Sequence, residues 1–181
     1  MVSKKDNKKI GIDIHGVINI NPIFSKLTKH LKSIGYEIHI ITGPRLNYPY
    51  KTNIESFDRV EDELEKYDIV YDKLFSVLDY NVKNGSNVWK NEKGWWTDTD
   101  SWNKTKGEYC EKNNILLHID DTEIYGNYFN TPFGFLNNEN KSIEFYKIND
   151  KSDIIKDILP IFEGTFKFKF NIDEDRTKNN S

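Results

Sequence analysis

The chain alternates between short apolar runs and charge-dense amphipathic stretches. From Lys9 an apolar run leads directly into Asp13, a turn containing Gly16 follows, and apolar residues resume at Val17-Ile18. Strands buried on both faces of a parallel sheet read in this way. Ile23, Leu27, Leu31 and Ile34 then recur at helical spacing after Pro22, with Gly35 as a stop. Tyr36 to Ile41 predicts a second buried strand, ending in Thr42-Gly43-Pro44-Arg45. Two strands joined by a helix are expected to run parallel, which sets Asp13 and Thr42 at the same edge of one sheet.

Further along, Ile54, Phe57, Val60 and Leu64 sit among dense charges and predict an amphipathic helix over 52–67. Leu74-Phe75-Ser76-Val77 reads as a third strand. Residues 79–103 fit neither period: they carry the turn signal Asn84-Gly85 and the cluster Trp89, Trp95, Trp96 and Trp102. They predict an inserted flap or hairpin rather than a separate domain. A short helix is expected over 104–112. Ile115 to Ile119 is another buried-strand run, ending in the pair Asp120-Asp121. Residues 131–136 predict one more short strand, 152–162 a helix despite Pro160, and Lys167-Phe168-Lys169-Phe170 an edge strand. The stretch 171–181 has the composition of a disordered tail. The expectation is one α/β domain over 9–172, a three-layer Rossmann-like fold with a mainly parallel central sheet and no large cap domain. Flexible tails are expected at 1–8 and 173–181.

Composition narrows the function. A chain of 181 residues can bury a sizeable core. Its net charge of -3 argues against a general nucleic-acid-binding surface, while leaving room for a nucleotide or a nucleic-acid end as substrate. One cysteine, Cys110, excludes an internal disulfide, suits a reducing compartment and has no Cys-His neighbours at zinc spacing. No apolar run approaches a membrane span and none follows the lysine-rich start as a signal peptide would, so a cytoplasmic protein without membrane contact is expected. Alanine is absent, which weakens propensity as a guide to helices.

Three apolar strands therefore end in polar residues: Asp13 and His15, then Thr42 and Gly43, then Asp120 and Asp121. An acid closing a core strand is costly unless paired, hydrogen-bonded or metal-bound. For Asp13 alone, a capping aspartate in a strand-to-helix turn accounts for the segment equally well. If the strands run parallel, however, several carboxylates converge and repel one another unless a cation lies between them. Mg²⁺, held by few carboxylates together with water and a phosphate oxygen, is the natural candidate. Lys104 and Lys106 precede the acidic strand, and either would offset an anionic intermediate.

In this order the motifs resemble those of the haloacid dehalogenase superfamily: Asp13-Ile14-His15-Gly16-Val17-Ile18, then Thr42-Gly43, then Lys106 (or Lys104), then Asp120-Asp121. They cover about residues 9 to 137. The resemblance implies a nucleophilic Asp13 that forms an aspartyl-phosphate, and Mg²⁺ held by the Asp13 carboxylate, the backbone carbonyl of His15, and Asp120 or Asp121. It also implies that Thr42, Gly43 and Lys106 hold the phosphoryl group. Lys106 fits better than Lys104, because the residues after it lead cleanly into the strand. The departure is His15, which stands where the phosphatase members carry an aspartate that protonates the leaving group and then activates water. Histidine can do that work.

Other candidates carry less. Arg45 would bind a second anionic group or remain a solvated loop arginine. Trp95, Trp96 and Trp102 are read as the flap's own small core, with an aromatic wall over a base or sugar as the alternative. Asp98 and Asp100 tempt as substitutes for the missing acid on proximity alone. His30 and His39 read as structural and His118 as a packed core histidine. The small insertion implies an open site, which by the resemblance goes with either bulky substrates or oligomers whose members cap one another. By the same resemblance a small nucleotide-like phosphomonoester is the expected substrate. The competing readings are an attenuated metal- and phosphate-binding or regulatory module, and carbon–halogen displacement by Asp13. The acidic pair has no purpose in the latter.

Overall fold

The structure is a computed structural model, and it describes residues 7–171. In chain order the elements are β1 (Lys9–Ile12), α1 (Ile23–Ser33), β2 (Glu37–Thr42), β3 (Tyr50–Lys51), β4 (Ser56–Phe57), α2 (Val60–Lys66), β5 (Lys73–Ser76) and α3 (Val77–Lys83). There follow β6 (Val88–Asn91), β7 (Gly94–Thr97), α4 (Thr99–Lys112), β8 (Leu117–Asp120), β9 (Phe133–Asn137), β10 (Ser142–Tyr146), α5 (Asp153–Phe162) and β11 (Lys167–Asn171).

Seven strands form the central sheet in the order β11-β10-β9-β8-β1-β2-β5. The five from β9 to β5 are mutually parallel, β10 is antiparallel to β9, and β11 runs parallel to β10. This is a mainly parallel α/β sheet flanked by helices, consistent with a Rossmann-like fold. The strand pleat explains its layers. Along β2, Ile38 and Ile40 join a core with Leu27 and Leu31 of α1 and Ile155 and Ile158 of α5. Ile41, one residue on, points into a second core with Cys110 of α4, Phe129 and Phe133. The central strands are buried on both sides, which is why they read as unbroken apolar runs.

The structure departs from the sequence expectations in several places. No single helix spans 52–67. Thr52 closes a small β3–β4 hairpin instead, its hydroxyl accepting from the amides of Ile54 and Glu55. Ile54 is left 65% exposed, and α2 starts only after the extended Arg59. The inserted segment is shorter than 79–103. Ser76 caps α3 through the Asp79 amide and Asp98 caps α4 through the Ser101 amide, so the β6–β7 hairpin with its flanks occupies only 84–98. Asn84-Gly85 ends α3 rather than turning the hairpin. Strand β10 was not expected. Its register pairs Ile143 with Leu136 and Phe145 with Gly134, extending the sheet by a hairpin. β11 lies at the sheet edge as its alternation indicates, and Asn171 is its buried last residue rather than the start of a tail. At the other end Lys8 joins the fold by accepting from the Glu37 amide. The rest of the expected tails, 1–6 and 172–181, lies outside the described residues. No helix among the described residues is long and apolar enough to cross a membrane.

Candidate functional site

Strand order reverses between β1 and β8, and open α/β sheets bind ligands beyond the carboxyl ends of strands at such a switch point. Asp13 follows β1 directly. Its amide donates to the Ile119 carbonyl at 3.0 Å, which sets it beside Asp120 at the end of β8. Lys106 enters from α4, and its Nζ donates to Asp13 Oδ1 at 2.9 Å and Asp120 Oδ2 at 2.8 Å. All three residues are buried. The helix reaches this depth because it presses on the turn at 123–128: a Cβ at Gly107 would lie 2.3 Å from the Tyr128 carbonyl oxygen. Lys104 takes no part and pairs with Asp100 at the surface. Asp98 is occupied as the cap of α4.

The adjacent aspartates differ. Asp120 Oδ2 also shares a hydrogen bond with His118 Nε2 at 2.9 Å, and its Oδ1 accepts from the Thr122 amide at 3.1 Å. Its oxygens are committed inward. Asp121 is half-buried and lines a cleft with Asp13. It packs so tightly on the first loop that a Cβ at Gly16, whose φ is +82°, would fall 1.8 Å from Asp121 Oδ2. No other residue fits there without moving the carboxylate. One oxygen from each of Asp13, Asp120 and Asp121 lies within 4.8 Å of the others.

Their electrostatics follow from crowding. Burial first, and then the charge of Asp120, push the Asp13 carboxyl up to about 7 despite Lys106. Burial and Asp120 raise Asp121 as well. Burial works against ionised Asp120 too, but Lys106 and His118 outweigh it and hold that carboxyl well below the usual range. Burial likewise opposes the Lys106 charge, which Asp120 and Asp13 nevertheless maintain. The site thus contains one firmly ionised carboxylate bound to a lysine, and two strained ones facing the cleft. Hard oxygens that repel one another suit a divalent cation, and Asp13 and Asp121 are the two placed to hold it.

His15 also lines the cleft, and its Nε2 lies 2.6 Å from Glu63 Oε1. The same oxygen accepts from the Tyr50 hydroxyl at 2.9 Å, and the His15 and Tyr50 rings meet edge to face. Glu63 is wholly buried, and its Oε2 has no partner among the described residues. Glu63, Tyr50 and Asn138 belong to the site yet were not anticipated from sequence. Asn138 donates to the Gly16 carbonyl at 2.7 Å and fixes the loop after Asp13 from the far side.

Thr42 lies at the end of β2, fully buried, with a hydroxyl that has no partner among the described residues. Gly43 lines the cleft with Trp102 packed against it. Arg45 reaches the cleft but is already engaged: its Nε donates to Asp79 Oδ1 at 2.8 Å, and its guanidinium lies 4.1 Å from the Tyr48 ring centre and 4.6 Å from that of Trp95. It braces the β2–β3 loop against the hairpin. The tryptophans form no core of their own, because a two-stranded hairpin cannot enclose them. Trp95 and Trp96 line the cleft from β7, and Trp102 belongs to α4. His118 is in the core and also supports Asp120. His39 is structural, bonded to Glu37 and Tyr109.

No family model matches this chain, nor does any curated protein or solved structure match it.

Proposed function

We propose that the chain is a Mg²⁺-dependent phosphohydrolase of the haloacid dehalogenase type, which cleaves a nucleotide-like phosphomonoester through an aspartyl-phosphate on Asp13. One observation carries this reading. A buried carboxylate at the sheet's switch point opens onto a cleft, is held by an equally buried lysine, and stands within 4.8 Å of two further carboxylates.

Lys106 fixes Asp13 Oδ1, leaving the other oxygen to attack phosphorus as the bond to the leaving oxygen breaks. The leaving oxygen keeps that electron pair and takes a proton from His15. Water then loses a proton to His15 and attacks the same phosphorus, and the bond to Asp13 breaks to release phosphate and a free carboxylate. The buried Glu63 holds the His15 ring in place for both transfers. Lys106 balances charge beside Asp13, and the unspent Thr42 hydroxyl is available to an oxygen bound at that edge. Mg²⁺ held by Asp13, Asp121 and the His15 backbone carbonyl would draw charge from the phosphoryl oxygens.

The test is phosphate release from a panel of aryl phosphates, sugar phosphates and nucleotides, with and without Mg²⁺. Turnover that needs the metal and falls away with chelator is expected. A folded, metal-loaded sample that is inert across the panel overturns the proposal.

A further inference from the structure

The cleft in front of Asp13 has a volume of about 880 Å³, toward the upper end of small-ligand pockets. Two hairpins flank it, and both carry cations. Lys51 sits on β3, and Lys90 and Lys93 lie on β6 and its turn. All three are exposed, and none has an ion-pair partner among the described residues; Lys90 lies 5.7 Å from the Trp95 ring centre, and Glu92 is the one carboxylate between the two hairpin lysines. The chain has a net charge of -3, so unpaired positive charge on both sides of one opening is a local feature. The phosphoryl group that would react already has Lys106 and the orphan Thr42 hydroxyl. Cations farther out answer to negative charge beyond it.

The walls between these cations are aromatic. Tyr48 is 42% exposed and Trp96 38%, and both line the cleft. Neither ring is loose. Tyr48 is braced by Arg45 and meets Trp95 edge to face at 5.6 Å, while the Trp96 indole N–H donates to Asn91 Oδ1 at 2.9 Å. Rings fixed in place and left open to solvent are stacking platforms whose ordering cost has been met in advance.

From this alternation of fixed rings and unpaired lysines we propose that the mouth is a binding site for the end of a single-stranded nucleic acid, delivering a terminal phosphomonoester to Asp13. This rests on the phosphohydrolase reading for the chemistry and goes beyond it in naming the substrate. A mononucleotide brings one phosphate and leaves the outer lysines without a function. A strand of a few nucleotides brings further phosphates to the lysines and further bases to the rings.

Two measurements test it. The first is binding of a fluorescent oligothymidylate of about eight nucleotides, carrying a 5′- or a 3′-phosphate, to the Asp13→Asn protein over a salt series. Affinity is expected to fall with salt on a log–log slope of about -0.7 per phosphate contacted, to flatten in the double variant Lys90→Glu/Lys93→Glu, and to drop ~10-fold in Trp96→Ala. The second is turnover by the unaltered protein. The kcat/KM for the oligonucleotide end is expected to exceed that for thymidine monophosphate by ~30-fold, and the lysine double variant should reduce that ratio through KM. A ratio near one, a salt-independent affinity, or equal binding of a blunt duplex overturns the proposal. If aryl phosphates are hydrolysed while the ratio is near one, the substrate assignment fails and the phosphohydrolase reading stands. If the oligonucleotide binds with the expected slope and nothing is hydrolysed, the chemistry fails and the binding site stands.

Discussion

The centre at the sheet edge and the mouth above it are built on opposite terms. In the centre, Asp120, Lys106 and His118 are buried and spend their polar atoms on one another. At the mouth, Trp96 and Lys90 stand on the β6–β7 hairpin and Tyr48 on the β2–β3 loop, with open faces and, for Lys90, no ion-pair partner among the described residues. Removing one partner of a buried charge network leaves the others desolvated and uncompensated, so damage there spreads to the fold. An exposed ring or lysine can be removed with little effect on stability. The buried Lys106–Asp120–His118 network is therefore coupled to folding, while the side chains of the mouth are not.

The largest effect should come from Asp13→Asn. It removes the proposed nucleophile, and turnover should fall by at least about 10⁴-fold, read as phosphate release at saturating Mg²⁺. Stability should hold. Asp13 is the member of the buried pair whose ionised form is disfavoured, and Lys106 retains Asp120. A variant that keeps activity within tenfold removes Asp13 from the mechanism. Lys106→Ala sharpens the comparison from the other side. It leaves Asp13 and Asp120 facing each other without a counterion, and should lower unfolding free energy by about 3–5 kcal/mol in urea titration. A loss below about 1 kcal/mol would mean that the centre is not braced by this lysine.

The two regions also differ in how far sequence reveals them. The centre is legible because its residues follow apolar strands, and parallel strands bring their ends to one edge; Asp13, Thr42 and Asp120 are found by that rule alone. Glu63 is hidden. It stands among Glu61, Asp62 and Glu65 in a run that reads as the solvated face of an amphipathic helix, and only its spacing from Val60 marks the inward face. The chain around the mouth is hard to read for a related reason. Ile54 and Phe57 match a helical period with Val60 and Leu64, yet the Thr52 turn imposes a hairpin, and local turn chemistry prevails where periodicity is short. β10 gives a weak signal because Ile143 and Phe145 alternate over only five residues beside a polar turn.

His15 joins centre and mouth, and its role can be separated from structure by varying the leaving group. If it donates the proton, His15→Asn should slow alkyl phosphates by about 10²–10³-fold and p-nitrophenyl phosphate far less, since nitrophenolate leaves without help. Glu63→Gln should show the same pattern in milder form, about tenfold, because it replaces the carboxyl group that holds the His15 ring. An equal loss on both substrates would mark Glu63 as a packing residue only. The swap His15→Asp separates a working histidine from an attenuated site. Activity falls if histidine is the operating acid, and rises strongly if the chain is a binding module that has lost its catalytic aspartate.

The last expected effect is in metal affinity against pH. In the metal-free protein burial and Asp120 raise the Asp13 carboxyl to about 7, and Asp121 is raised in the same direction. A divalent cation binds the ionised forms, so binding must expel whatever proton Asp13 carries. Below about pH 7, each unit of acidification should therefore weaken Mg²⁺ or Mn²⁺ binding by up to about tenfold, with a proton released on binding, and above it affinity should level off. Calorimetric titration between about pH 5.5 and 8.5, in buffers of different ionisation enthalpy, reads affinity and proton release together. In Asp13→Asn the affinity should be lower, with most of this pH dependence gone; any residue left by Asp121 should be shallower. If the unaltered protein bound metal equally well across that range, Asp13 would not be a ligand, and the cation would have to be held by Asp121 and the loop alone.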